Sequence, residues 1–299
     1  MHRKLTTLLI VYIYLIKPVY TFLYNKTVEN LNRFSKVTER MLKMKITWYG
    51  TATIGIDDGK TKLLFDPFVR MNKRIETTPV EGFTGFDAVF VTHGHFDHIY
   101  SIPELAQKDK TVPIYCTETP KKTLMGKGVP EERFRLFKPD DVIQIGGYTI
   151  RPRRFRHIVF DPLYILSVFP KGIAMFPRLL WQGYMNRKMP EGGEIVAFEI
   201  EAEGKKIFLT GSFREYPGEV YPDDIDMLIL ANGGSIFVPE KTKAFIDRYR
   251  PKKIFVDHFD DAFPPVTREV SVERLRKMTK KNHPEIEFII PEICKAVEL

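Results

Sequence analysis

From Lys45 onward the chain breaks short apolar runs with Gly, Asp and Pro, the texture of strands joined by tight turns. "KITWYG", "ATIGIDDGKTKLLFDP" and "FDAVFVTH" are predicted strands, the second folding back on itself at Asp57, Asp58 and Gly59. "SIPELAQK" predicts a helix with Ser101 at its N-cap and Glu104 three residues later. "VPIYCT" predicts a strand, "TPKKTLMGKG" a short helix, and "DVIQIGGYTIRPRRF" a pair of strands around Gly146 and Gly147. "EIVAFEIEAEGKKIFLTGS" has the pattern of a strong hairpin, and "IDMLILANGG" that of a strand closed by glycine. The chain then alternates helix "PEKTKAFIDRYR", strand "KKIFVDH", helix "VSVERLRKMTKK" and strand "EIEFIIP". Hairpins first, then strands interleaved with helices, in each half, predict an α/β fold of two mixed sheets with helices outside. One domain is expected over residues 45–299, without internal repeats.

Residues 1–44 have a different texture. A basic start leads into an apolar run from Leu5 to Ile16, and a second, aromatic run to Tyr24 is broken by Lys17 and Pro18. Twelve uninterrupted residues fall short of the roughly 20 that span a bilayer. Residues 1–44 are therefore expected to be either a membrane element, an interfacial helix or an uncleaved anchor whose apolar stretch reaches Tyr24, or an extension ahead of a later start at Met41 or Met44. Basic residues after Tyr24 favour a cytoplasmic placement of the main domain.

The net charge of +8 raises a nucleic-acid reading, and its distribution weakens it. Residues 1–44 hold eight Lys or Arg against Glu29 and Glu39, leaving 38 basic and 36 acidic side chains in the rest. Most of the excess sits outside the domain, so nucleic acid is disfavoured as a partner. Cys116 and Cys294 form no paired motif, in keeping with a reducing compartment.

The chemistry concentrates in "VTHGHFDHIY", residues 91–100, which holds three of the seven histidines. Chance would place such a His-x-His-x-Asp-His string in a chain of this composition with a probability on the order of 10⁻⁴. His93 and His95, two apart, project from the same face of an extended segment and can grip one ion. Asp97 and His98 continue into the turn, toward a second. Imidazoles with a carboxylate suit Zn²⁺ and tolerate Fe or Mn. His157, His258, Asp66 and Ser212 each fall at a predicted strand-to-loop junction, where side chains converge on a rim.

"THGHFDH", preceded by "LLFDP" and followed by a distant His, a "TG" turn after a hairpin and a last strand ending in His, resembles the metallo-β-lactamase fold hydrolase superfamily. Within it the wording is most similar to the branch of the ascorbate-phosphate lactonases and the N-acylphosphatidylethanolamine-hydrolysing phospholipase D. The resemblance implies a four-layer αββα sandwich over 45–299 and a zinc-dependent hydrolase holding one or two ions. It implies His93, His95 and His157 as ligands of one ion and Asp97, His98 and His258 as ligands of the other. Asp97 would also orient the attacking water and help carry its proton, and Asp66 would hold the motif loop from behind. Members usually carry a bridging Asp in a "TGD" turn, whereas this chain places Ser212 there. A neutral hydroxyl is a weak ligand, so Ser212 puts the second ion in question.

The stretch 158–190 combines large apolar residues with Lys171, Arg178, Arg187 and Lys188, and predicts either an apolar lid over the site or a helical excursion that packs on the body or forms a dimer contact. Three readings follow. The first is a metal-dependent hydrolase of a phosphodiester or ester-type small molecule or lipid, with a membrane surface approached through residues 1–24 and 158–190. The second is a metallo-nuclease. The third is a metal-binding protein without turnover, motivated by Ser212.

Overall fold

The computed structural model describes residues 25–29 and 44–299. The N-terminal anchor or extension expected of residues 1–24 lies outside the described residues. Residues 1–43 and 44–299 are separate units, and the sheets belong to the second.

The first sheet grows from a meander: β1 (Lys45–Gly50), β2 (Thr53–Asp57) and β3 (Lys62–Phe65) pair antiparallel in sequence order. The turn between β2 and β3 forms as expected, with Asp57 accepting from Gly59 N and Asp58 from Lys60 N and Thr61 N. β4 (Ala88–Phe90), β5 (Ile114–Cys116) and β6 (Phe134–Leu136) then add in parallel. Their crossovers carry α1 (Phe96–Ile99), α2 (Ile102–Lys108) and α3 (Glu118–Met125). Ser101 precedes α2, but its hydroxyl makes no cap bond. Instead it accepts from Val69 N at 2.9 Å, so the expected capping contact ties two loops together.

The second sheet repeats the plan. β7 (Ile143–Ile145), β8 (Tyr148–Phe155), β9 (Ile195–Ala202) and β10 (Lys205–Leu209) are antiparallel; β11 (Met227–Ala231), β12 (Lys253–Asp257) and β13 (Glu287–Ile289) follow in parallel. Between β8 and β9 lie α4 (Pro162–Ala174) and α5 (Phe176–Lys188), while α6 (Val238–Tyr249) and α7 (Glu273–Asn282) join the parallel strands. A last strand, β14 (Ala296–Glu298), returns to pair with β1 on the edge of the first sheet.

The strand alternation decides the layers. Ile46, Ile54, Leu63 and Phe65 face Ile150, Phe198, Ile207 and Phe255 in the core between the sheets. The opposite face of the first sheet, with Leu64, Val89 and Ile114, packs on Phe96, Ile102, Leu105 and Leu124 of its helices. The opposite face of the second, with Phe208, Leu228 and Val256, packs on Phe245, Ile246 and Leu275. Three apolar layers separate two sheets and two helical covers, the four-layer αββα arrangement. Loops that leave the strand ends meet along one rim.

Candidate metal centre

The motif loop leaves β4 pinned from behind. Thr92 N donates to Asp66 Oδ1 at 2.8 Å, and Thr92 Oγ1 donates to Asp66 Oδ2 at 2.6 Å. Asp66 follows β3 in a left-handed conformation, φ 47°. It is kept there by Asp66 N donating to Phe90 O and by Thr53 Oγ1 donating to Asp66 O. Gly94 between the two histidines leaves room for the segment that returns from α5, since a Cβ there would sit 2.2 Å from Pro190 O.

These contacts set the histidine tautomers. The Thr92 hydroxyl gives its one proton to Asp66, so at 2.9 Å it accepts from His93 Nδ1, which leaves His93 Nε2 bare. His98 Nδ1 lies 2.8 Å from Asp66 Oδ2 and donates to it, leaving its Nε2 bare as well. His157 Nδ1 donates to Ile158 O at 2.8 Å, since a carbonyl only accepts, with the same result.

These nitrogens converge with the other candidate ligand atoms. One ligand atom from each of His93, His95 and His157, and likewise from each of Asp97, His98 and His258, lies within 4.8 Å of the others in its group. The groups adjoin through His93 and His98, whose ring centres are 3.9 Å apart. Burial, reinforced by the neighbouring imidazoles, pushes His93 well below the ordinary histidine range, and burial lowers His95 and brings His157 down to about 4. All three are therefore neutral at pH 7, the form that binds metal. Burial alone would raise the Asp97 carboxyl, but His98 and His258 hold it well below the usual carboxylate range. Burial opposes the His258 charge, yet its contact with Asp97 Oδ2 at 3.2 Å raises the ring to about 9.

Bare imidazole nitrogens in one group fit a divalent ion with a taste for nitrogen, and in the other an ionised carboxylate and two imidazoles do so once His258 gives up its proton. His93 Nε2 lies 3.2 Å from His95 Nδ1, a separation that suits two lone pairs turned toward one cation. Each group offers three ligands and leaves a position open.

The other residues singled out in the sequence fall around these groups. Ser212 lines the same cavity, with Oγ accepting from Ile158 N at 3.0 Å. His258 is in the left-handed region at φ 56°, held by its N–H to Thr51 O at 2.7 Å. Its ring fits because residue 233 is glycine: a Cβ there would meet His258 Nδ1 at 2.5 Å.

Four contributors escaped the sequence reading. Asp260 Oδ2 accepts from Arg70 Nη1 and from Thr51 N, both at 3.1 Å, a buried pair that ties the loop after β12 to the loop after β3. Asp257 is fully buried with both carboxylate oxygens unpartnered, and burial pushes it up to about 7. Arg268 reaches the cavity from the loop before α7. The string "VDHFDD" held Asp257 and Asp260, but only the histidine stood out there.

The groups open into a cavity of about 660 Å³, within the range of small-molecule sites. One wall is apolar: Ile165, Val168, Phe169, Ile173 and Phe176 come from the stretch expected as lid or helical excursion. That stretch is a hairpin of α4 and α5. Asp161 caps α4 by accepting from Tyr164 N at 2.7 Å and also accepts from Ile236 N at 3.0 Å. Among the described residues lining the cavity, Arg268 is the one Lys or Arg.

A family model described as a Beta-lactamase superfamily domain matches residues 61–235. A UPF0173 metal-dependent hydrolase of Staphylococcus aureus (strain MRSA252) is 35% identical over 240 residues, 76% of this chain and 90% of that protein. The metallo hydrolase Igni18 of Ignicoccus hospitalis superposes with a TM-score of 0.59 at 17% identity, covering 86% of this chain and 98% of that one. The metallo-beta-lactamase fold protein YhfI of Bacillus subtilis gives 0.54 at 17%, covering 86% and 100%. These likenesses carry the superfamily and the UPF0173 group rather than the narrower lactonase and phospholipase branch. With its two sheets, its rim of histidines and these matches, the chain belongs to the metallo-β-lactamase superfamily, alongside the UPF0173 metal-dependent hydrolases.

Proposed function

We propose that this chain is a zinc-dependent hydrolase that cleaves a phosphodiester or ester bond in a small amphiphilic anion, a lipid or a molecule of similar character. The observation that carries the reading is the pair of three-residue groups set side by side on the floor of an apolar cavity. His93, His95 and His157 would hold one ion, and Asp97, His98 and His258 the other. Ions bound there supply an acidified water and Lewis-acid polarisation of the carbonyl or phosphoryl group under attack.

The chain's own residues do the rest. Asp97, ionised and beside His258, orients the attacking water by accepting its hydrogen bond; a carboxylate this acidic is a poor proton store, so orientation is its larger contribution. Asp66 and Thr92 keep the motif histidines in the right tautomer. The α4–α5 wall offers apolar contact to the substrate's hydrocarbon part, and Arg268 meets its anionic part. We place the domain on the cytoplasmic side.

The test is metal analysis of the purified full chain together with a hydrolysis screen over bis(p-nitrophenyl) phosphate, lactones, thioesters, phospholipids and short RNA, with and without chelator. Bound zinc and chelator-sensitive turnover of an ester or phosphodiester are expected. Bound metal without turnover on any of these would favour a metal-binding role, for which Ser212 in place of a carboxylate is the motive. A preference for RNA would favour a nuclease, against an apolar cavity wall that offers a polyanion little.

A further inference from the structure

The hairpin that walls the cavity also has an apolar outer surface that no other described residue covers. Of 19 exposed large apolar side chains among the described residues, 11 lie between Val159 and Tyr184. Leu166 is 64% exposed, Leu180 59% and Tyr184 57%, and none of the three lines the cavity. Patches this concentrated mark interaction surfaces rather than ordinary exposure.

The inner side of the hairpin, by contrast, is tied to the body by polar contacts beside its turn and along α5. Lys171 Nζ binds Asp261 Oδ2 at 2.6 Å, Arg178 Nη2 donates to Met71 O at 2.6 Å, and Gln182 Nε2 donates to Phe263 O and Pro264 O. Met185 and Met189 are buried in the core under the first sheet's helices. The outer face is therefore held out from the body and is not a loosely packed segment of it.

Charge decides what would cover this face. Pro162–Pro190 contains Lys171, Arg178, Arg187 and Lys188 and no acidic residue, and Arg187 and Lys188 are exposed at the end of α5. A second copy docked through a two-fold axis would set the same basic patch against itself. Apolar rings and branched chains beside exposed Arg and Lys suit an interface between acyl chains and anionic headgroups.

We propose that the α4–α5 hairpin docks on an anionic lipid bilayer, its outer apolar side chains entering the headgroup and acyl boundary. Ile165, Phe169, Ile173 and Phe176 line the cavity and are each more than half exposed, so the trough reaches the same surface that would meet the lipid. The inference goes beyond the hydrolytic reading and does not depend on it.

The chain has two tryptophans, and they separate the outcomes. Trp181 is 37% exposed on α5, whereas Trp48 is 4% exposed in the core between the sheets. Full-length protein is mixed with vesicles of phosphatidylcholine and phosphatidylglycerol in equal parts, with or without brominated acyl chains. The expected result is a blue shift of tryptophan emission and quenching by brominated lipid. Both effects vanish in Trp181→Phe and weaken on vesicles of phosphatidylcholine alone. A Leu166→Glu/Leu180→Glu protein should need roughly tenfold more lipid for the same shift.

Unchanged Trp181 emission would overturn the proposal even if the protein sediments with vesicles, because binding would then come from elsewhere. A dimer in sedimentation velocity that Leu166→Glu abolishes would overturn it in favour of self-association. No readout requires turnover, so a failure here is distinct from a failure of the hydrolase reading.

Discussion

Thr92 Oγ1 donates to Asp66 Oδ2 at 2.6 Å, and this one contact fixes both the path of the motif loop and the tautomer of His93. Replacing Asp66 with Asn tests that coupling. Thr92 N still needs an oxygen to accept from it, so the new amide NH₂ turns toward the Thr92 hydroxyl and His98 Nδ1. Both histidines then lose the acceptor that keeps Nε2 bare. Metal affinity should fall about 10- to 100-fold, measured by competition against a chromogenic chelator; an unchanged affinity would show that Asp66 only shapes the loop.

His95→Ala leaves the Asp66 network intact and removes one ring from the first group. His95 is half-buried and its ring contacts His93 and His157 rather than apolar core side chains, so metal-free thermal stability should change by about 1 kcal/mol or less, while the first group's ion is lost and turnover falls to background. Full turnover in this variant would remove the assignment of the first group.

Ser212→Asp adds a carboxylate beside the two groups and keeps an acceptor for Ile158 N. The metal-to-protein ratio by mass spectrometry should rise toward two. The same ratio in both proteins would mean that position 212 lies out of reach of either ion.

Arg268→Ala should raise KM for anionic substrates about tenfold, the cost of a lost charge-assisted hydrogen bond, while leaving kcat and the KM of neutral esters in place. Arg268→Lys should recover part of the difference. Equal changes for anionic and neutral substrates would make Arg268 a structural residue.

The hairpin should also respond to acid. Burial opposes ionisation of Asp161, but bonds from Ser235 and from the N–H groups of Tyr164 and Ile236 outweigh it, so the carboxyl sits below its ordinary value. A depressed pKa stabilises the fold above the unfolded value near 3.9 and ceases to do so as pH falls through the folded value. The metal-free protein should therefore become more open to proteolysis within 158–190 below about pH 4. Asp161→Ala should show the same opening at neutral pH, with a cap loss of about 1 kcal/mol. Identical cleavage of both proteins at pH 7 would count against the cap.

Much of this architecture was legible in the sequence because its strands alternate and its turns carry Asp and Gly. The hairpins at Asp57–Gly59 and Glu203–Gly204 are local events, written where they occur. β6 and β14 escaped because their residues, "FRL" and "AVE", each include a charged side chain and lack the flanking apolar run that marked equally short strands such as β5 and β13, so that a distant partner on the sheet defines them. The α4–α5 hairpin carried two open readings because its outer face is as apolar as its inner one, which erases the helical period. The histidine string announced four of the six candidate ligands, and His157 and His258 stood at predicted strand ends. Asp257, Asp260, Arg70 and Arg268 did not stand out, since a single Asp or Arg gains meaning only from what folding brings beside it.

The two three-residue groups are separated in time as well as in space. His93, His95 and His157 have all been synthesised while the parallel half of the second sheet is still to be made, whereas Asp97 and His98 wait for His258 near the far end of the chain. The first group therefore draws all its ligands from the first 157 residues, whereas the second is closed only by residue 258, so a chain cut after the antiparallel strands would carry one set of ligands without the other.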